Sequence, residues 1–447
     1  MLKNLRSFLS ILTIVFALPV GLFLVSQRAN LRSNADGTNA NLVIDLGAVS
    51  KVEVGNTNNL AQGGEETSPN TFTPVIENIK QIKPKYIRID HVFDFYTSIS
   101  QNQNIVNFNF EKLDTIIGDI RKTGAIPFLS LMPYSNNMND WSTAVKNVIE
   151  HVSGSLGVSD VYYEIGNEPD LFGGWKTYGD KNYLNLYSSA ISGANKAQNV
   201  KNFKIGGPAT TALYENWFKE FLRFGDQNNL RIDFYSWHRY STNFEDYEKD
   251  IINAHAWLEE FPKYSGIEFL ITESGPDSNN NTIYDNNFSA IHSLALSTIS
   301  GFDLQKLFHF EIKDGPGSQK LWGRWGILTH EKFGTPSKKP RFDALVFANR
   351  LTGNEISVQG LGSWVKAKGV YDGSTYRILI VNYDPNGRHI EAVPLLFDRV
   401  PASFNYKRID FAGQTTSKQI DTPQGSKSWS TTELLNPNSA IIIEIKP

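Results

Sequence analysis

Residues 161–170 read "VYYEIGNEPD". Val161, Tyr162, Tyr163 and Ile165 have the bulk and β-branching of a buried strand, and Pro169, which cannot donate to a sheet ladder, marks where that strand stops. An amide and a carboxylate, Asn167 and Glu168, stand at its end. Whether they are a turn or a site depends on the sheet around them.

On both sides of this stretch, short runs rich in Ile, Val, Phe and Tyr alternate with longer segments of helical period, which is the pattern of βα units. The strand-like runs are 51–55, 85–90, 126–132, 161–166, 204–209, 232–238, 268–273 and 306–312, with helical segments such as 72–82, 110–124, 244–261 and 338–353 between or after them. Eight such units in series predict an α/β fold, a (β/α)8 TIM barrel, over residues 41–353. Beyond Gly353 the punctuation changes to hairpin turns, Asp372-Gly373 and Asp384-Pro385-Asn386-Gly387. Residues 354–447 therefore read as an additional C-terminal antiparallel β-sandwich domain, with 41–50 as a further candidate to pair into it. Its Lys366, Lys368, Arg377 and Lys407 read as solvated positions, and its strand ends carry no convergent acidic pair.

The 447 residues include 43 Lys and Arg against 46 Asp and Glu, for a net charge of -3, so no sustained basic surface for nucleic acid is expected. No cysteine is present, which removes disulfides, Cys-ligated zinc, iron–sulfur clusters and thiol nucleophiles. Near the N-terminus Lys3 and Arg6 precede an apolar run, Phe8 to Val25, and a polar stretch without a clean cleavage site follows. Residues 1–40 thus read as a membrane anchor with its tether, or alternatively as an export signal; a buried core helix is the remaining reading. Either of the first two places the rest of the chain outside the cytoplasm, membrane-anchored or secreted.

In such a barrel the chemistry sits at the C-terminal strand ends. The second run ends in Arg88 and Asp90, the fourth in Asn167 and Glu168, the sixth in Trp237, His238 and Tyr240, and the seventh in Glu273; Trp322 and Trp325 follow the eighth. Two carboxylates converging from the fourth and seventh strands suit glycoside hydrolysis, one protonated to serve the leaving oxygen and one ionised to attack the anomeric carbon. Asn167 could hydrogen-bond a sugar 2-hydroxyl, and Trp322 or Trp325 could stack on a sugar face. Each has a plainer reading: a strand-end turn, a surface glutamate, a core histidine, loop-packing tryptophans. The "DHVFD" run at 90–94 lacks a second ligand cluster, so neither metal nor cofactor is expected. Two other classes stay open. One is a non-catalytic carbohydrate-binding surface protein on a degenerate barrel. The other is a barrel enzyme of different chemistry, with Lys313 the sole candidate for a Schiff base.

At this point the chain resembles clan A of the glycoside hydrolases, and more narrowly family 39, in "YEIGNEPDLF" (163–172), "DFYSWHRYS" (233–241), "FLITESG" (269–275) and the closing segment 325–351. The resemblance implies a retaining O-glycosyl hydrolase acting by double displacement on an oligo- or polysaccharide, β-xyloside-like or related. It implies Glu168 as acid/base, Glu273 as nucleophile, Asn167 at the 2-hydroxyl, His238 beside the nucleophile and Arg88 holding it ionised. Tyr240, Trp325 and Asp90 join them as substrate-binding candidates. Two departures stand out. Gly166 occupies a position where family 39 commonly has tryptophan and looks more like the family 79 enzymes, which include β-glucuronidases. Asp90 stands where the family commonly has histidine. Proximity to Glu273 and closure by aromatic residues predict a raised pKa for Glu168.

Overall fold

The computed structural model describes residues 37–53, 58–64, 66–102, 105–299 and 304–447. The apolar run Phe8–Val25 lies outside the described residues; among those described, no helix is long and apolar enough to cross a membrane.

The chain begins with β1 (Leu42–Glu53) and then enters a barrel through β2 (Asn59–Gln62), α1 (Ile76–Ile82) and β3 (Tyr86–Ile89). A hairpin, β4 (Ser98–Asn102) and β5 (Ile105–Asn109), extends the next connection before α2 (Glu111–Lys122) and β6 (Ile126–Leu131). Then follow α3 (Met138–Ile149), β7 (Val161–Ile165), α4 (Tyr183–Lys196), β8 (Phe203–Thr210), α5 (Glu215–Gln227) and β9 (Phe234–Tyr240). The circuit closes with α6 (Phe244–Leu258), β10 (Glu268–Gly275), α7 (Asn287–Leu296), β11 (Lys306–Phe310) and α8 (Pro340–Ala348). Parallel pairing runs β2-β3-β6-β7-β8-β9-β10-β11, and β11 returns to β2. The fold is the expected (β/α)8 barrel.

Its first strand is not the expected one. Residues 51–53 belong to β1, which pairs antiparallel with β12 (Asn354–Gln359) and parallel with β15 (Glu391–Asp398) in the second domain, and the barrel is opened by Asn59–Gln62. The alternation in "KVEV" suits any half-buried strand, and which sheet accepts it is decided by distant partners. β2 is hidden because it is short and partly polar, yet all four of its residues are buried. Asn59 gives its amide to Leu307 O and accepts from Tyr86 N–H, while Gln62 donates to Glu311 Oε2 at 2.6 Å.

Ala61, Tyr86, Phe128, Tyr162, Phe234, Leu270 and Phe308 fill the barrel's interior. The helices bury their apolar faces outside it; in α2 these are Leu113, Ile116, Ile117 and Ile120. The second domain contains β12 (Asn354–Gln359), β13 (Val365–Tyr371), β14 (Tyr376–Asn382), β15 (Glu391–Asp398), β16 (Ser403–Asp410), β17 (Thr415–Asp421), β18 (Ser428–Leu435) and β19 (Ser439–Lys446). With β1 they form one mostly antiparallel sheet ordered β17-β16-β19-β14-β13-β12-β1-β15-β18. It curls so that Trp429 on β18 meets Phe404 and Tyr406 on β16.

The opposite face of β13 and β14 abuts the barrel: Tyr383 donates to Thr242 O at 2.6 Å, and Lys366 lies 4.5 Å from the Phe244 ring centroid. Lys366 and Lys368 are consequently 8% and 2% exposed, not solvated as their charge suggests. The barrel packs over this face of β13 and β14. Arg377 and Lys407 do line a polar face, both paired with Glu444.

Candidate active site

Strand alternation along β7 turns Tyr162 into the barrel's interior and Glu164 into the layer above it. At the strand's end Gly166 adopts φ 104, a region open to glycine and strained for tryptophan. Glu168 itself sits at φ 46, a conformation that costs a non-glycine residue about 1–2 kcal/mol. The turn is pinned by the Glu168 N–H, which donates to Ala209 O at 2.8 Å.

On β10 simple alternation would point Glu273 away from the interior, because Leu270 faces in and Ile271 faces out. The ladder to β9 skips a residue, however: Ile271 pairs with Trp237, and Glu273 pairs with His238. This bulge at Thr272 turns Glu273 to the inward side, opposite Glu168.

Arg88, fully buried on β3, ties these ends together. Its Nε donates to Glu164 Oε2 at 2.7 Å, Nη1 to Glu273 Oε1 at 2.9 Å and Nη2 to Asn167 Oδ1 at 2.8 Å. Burial opposes its charge, but the carboxylates of Glu164, Glu273 and Asp90 outweigh that and raise its pKa. The other Glu273 oxygen accepts from Tyr240 OH at 2.8 Å. Burial and the charge of Glu273 hold the Tyr240 phenol well above its ordinary pKa, so it remains a donor.

His238, fully buried, bridges the two carboxyl groups, with Nδ1 3.0 Å from Glu168 Oε1 and 3.5 Å from Glu273 Oε2. Burial lowers its pKa, but the charge of Glu273 and the hydrogen bond to Glu168 more than offset this and raise it above the ordinary value. For Glu168 the outcome corrects the sequence expectation. Burial pushes its pKa up as anticipated, but the hydrogen bond from His238 and the charges of His238 and Arg88 bring it below the usual carboxylate value. The two shifts run in opposite senses, His238 toward its protonated form and Glu168 toward its ionised form.

A cleft of about 810 Å³ opens above these groups and is lined by Asp90, Asn167, Glu168, Tyr240, Glu273 and Trp325, so six of the eight expected residues face one space. Arg88 and His238 lie beneath it. Asp90 is near Asn167, its Oδ2 3.5 Å from Nδ2. The Trp325 ring meets Phe310 edge-on at 6.2 Å, and its Nε1 has no hydrogen-bond partner. Trp322, 37% exposed, stands on the rim with Leu171 and Phe172.

Sequence reading missed Glu164, although a carboxylate two residues after an interior tyrosine on one strand should demand a buried cation. It also missed the apolar rim at Leu171 and Phe172, since loop conformation carries no periodic signal. Lys313 is buried and committed, donating to Thr71 O and Glu331 Oε1 at 2.9 Å each and lying 3.6 Å from Glu66. Its ammonium already serves Glu66 and Glu331, which with His330 make one of two clusters of metal-ligand types among the described residues; the other is Glu168, His238 and Glu273.

The sequence profile of Glycosyl hydrolases family 39 matches residues 70–295, half of the chain. A Beta-xylosidase of Caldicellulosiruptor saccharolyticus is 26% identical over 173 residues, 34% of this chain and 35% of that protein. A Beta-xylosidase of Geobacillus stearothermophilus is 24% identical over 167 residues, covering 36% and 32% of the two chains. The matches thus span about a third of the length of these relatives. In three dimensions the GH39 enzyme from Xanthomonas axonopodis pv. citri superposes with a TM-score of 0.72 at 16% identity, over 92% of this chain and 98% of that one. A monomeric beta-xylosidase from Caulobacter crescentus gives 0.71 at 16% identity, over 91% and 99%. These two likenesses establish a shared fold.

Proposed function

The chain belongs to glycosyl hydrolase family 39, and from this premise we propose that it hydrolyses O-glycosidic bonds with retention of configuration, Glu273 serving as nucleophile and Glu168 as acid/base. The observation that carries this reading is the spacing of the two carboxylates: an oxygen of each lies within 4.8 Å of the other. Retaining enzymes hold the pair about 5–5.5 Å apart, while inverting ones leave about 6.5–9.5 Å for a water molecule.

In the first step a Glu273 oxygen bonds to the anomeric carbon as the glycosidic C–O bond breaks, and the leaving oxygen takes a proton from Glu168. A seated sugar displaces water from Glu168 and adds to the burial that already raises its pKa. The proton that Glu168 donates therefore reaches it from His238 along their hydrogen bond before the glycosidic bond breaks. Esterified Glu273 no longer carries the negative charge that attracts a proton to His238. Glu168, now ionised, takes a proton from the water that attacks the anomeric carbon, and Glu273 is released.

The substrate is an oligo- or polysaccharide or its glycosides, and the names of the two bacterial relatives favour the β-xyloside type. No cofactor enters this scheme. Lys3 and Arg6 before the apolar run Phe8–Val25 support a reading in which the catalytic part lies outside the cytoplasm, tethered or secreted; protease shaving of intact cells tests this, and full-length chain in the soluble cytoplasm would exclude it.

Glu168→Ala tests the mechanism. The variant should cripple glycosides with poor leaving groups and spare the first step for a dinitrophenyl glycoside, and added azide should yield a glycosyl azide of retained configuration. An inverted first-formed product from the wild type, or a 2-fluoro glycoside that labels a residue other than Glu273, would sink the assignment.

A further inference from the structure

The charges that line the cleft are unequal. Three carboxylates face it, Asp90, Glu168 and Glu273, against two side chains of cationic type, Arg239 and His91. Both of the latter have carboxylate partners: Arg239 donates to the two oxygens of Asp250 at 2.6 Å each, and His91 Nδ1 lies 2.7 Å from Asp94 Oδ2. Arg88, beneath them, divides its donors among Glu164, Glu273 and Asn167. Both cationic side chains among the described lining residues are thus already paired with a carboxylate.

We propose that Asp90 makes this a site for uncharged, hydroxyl-bearing glycones and bars uronic acids from it. The inference rests on the reading of Glu168 and Glu273 given above. Asp90 is 4% exposed at the end of β3, adjacent to Asn167. A sugar with its anomeric carbon between the two glutamates and its 2-hydroxyl at Asn167 turns the following ring hydroxyls toward Asp90. An ionised carboxylate accepts from two of them at once. A sugar carboxylate would instead meet like charge in a largely buried site, where salt screens little.

The test compares 4-nitrophenyl β-glucoside and β-glucuronide, which differ only at C6, with β-xyloside as the partner lacking C6. The wild type should show kcat/KM for the glucuronide about a hundredfold below that for the better neutral glycoside. Asp90→Asn should weaken the neutral substrates about tenfold, more through KM than kcat, and narrow the neutral-to-uronide ratio at least tenfold. A wild type that cleaves the glucuronide as well as the neutral pair overturns the proposal, as does a folded Asp90→Asn with an unchanged ratio. If no glycoside is cleaved, the functional reading fails by itself. Saturation-transfer NMR with free xylose, glucose and glucuronate then decides the role of Asp90: neutral sugars bound and glucuronate refused by the wild type supports it, and glucuronate bound equally well overturns it.

Discussion

Glu273 stands opposite His238 in the β9–β10 ladder because a single residue, Thr272, is left unpaired between them and Ile271–Trp237. The bulge decides which way the carboxylate points, and it suggests an unusual deletion. Removing Thr272 returns β10 to regular alternation with Glu273 still inward. The shortened chain should fold and hydrolyse at least about a hundredfold faster than Glu273→Ala. Kinetics with near-UV circular dichroism checks this, and a folded deletion variant as inactive as Glu273→Ala would contradict the register.

Arg88 serves three acceptors with one planar fork, a geometry that lysine cannot copy. Arg88→Lys should lower stability by about 3 kcal/mol and kcat by about two orders of magnitude, because Glu164 and Glu273 lose hydrogen bonds in a buried site. Urea unfolding gives the first figure and steady-state kinetics the second. Adding Glu164→Gln should recover part of the stability without recovering activity, which separates the structural carboxylate from the reacting one.

Lys368 has its ammonium buried with no hydrogen-bond partner, and burial lowers its pKa to about 8. The folded state binds this proton less tightly than the unfolded chain, so the stability contribution is lost as pH falls from above 10 toward 8. At neutral pH that cost is fully expressed. Lys368→Met should therefore raise stability at pH 7 by about 1–3 kcal/mol and flatten the rise in Tm between pH 8 and 10. Calorimetry across that range is the measurement, and a lowered Tm at pH 7 would count against the burial argument.

His238 has the opposite sign. Its pKa is raised in the folded state, so the stabilisation it gives is complete below its ordinary value near 6.5 and is lost as pH rises through the folded value. The wild type should exceed His238→Gln in Tm most clearly at about pH 6, with the gap closing toward higher pH. A gap independent of pH would mean that the side chain acts by packing alone.

Much of the molecule is written in local pattern. The alternation of strand and helix, the turn residues after Gly353, and an Asn-Glu-Pro end on one buried strand are properties of neighbours in sequence. They suffice for a barrel, a second β domain and two convergent glutamates. Seven of the eight barrel strands lie where their apolar runs place them. The eighth was misplaced because β2 satisfies its polar side chains inside the barrel, and a hydrophobic pattern cannot register that.

What tertiary structure alone decided follows from contacts between residues far apart in the chain. Lys51–Glu53 joined the second domain because β12 offered the pairing edge. Lys366 and Lys368 became buried because the barrel covers them. Glu168 was expected to have a raised pKa, but the hydrogen bond from His238, 70 residues further along the chain, helps to lower it. The sequence determined which titratable groups reach the mouth of the barrel. Where their protons rest depends on distances of a few ångströms and on the exclusion of water, and only the closed barrel sets those.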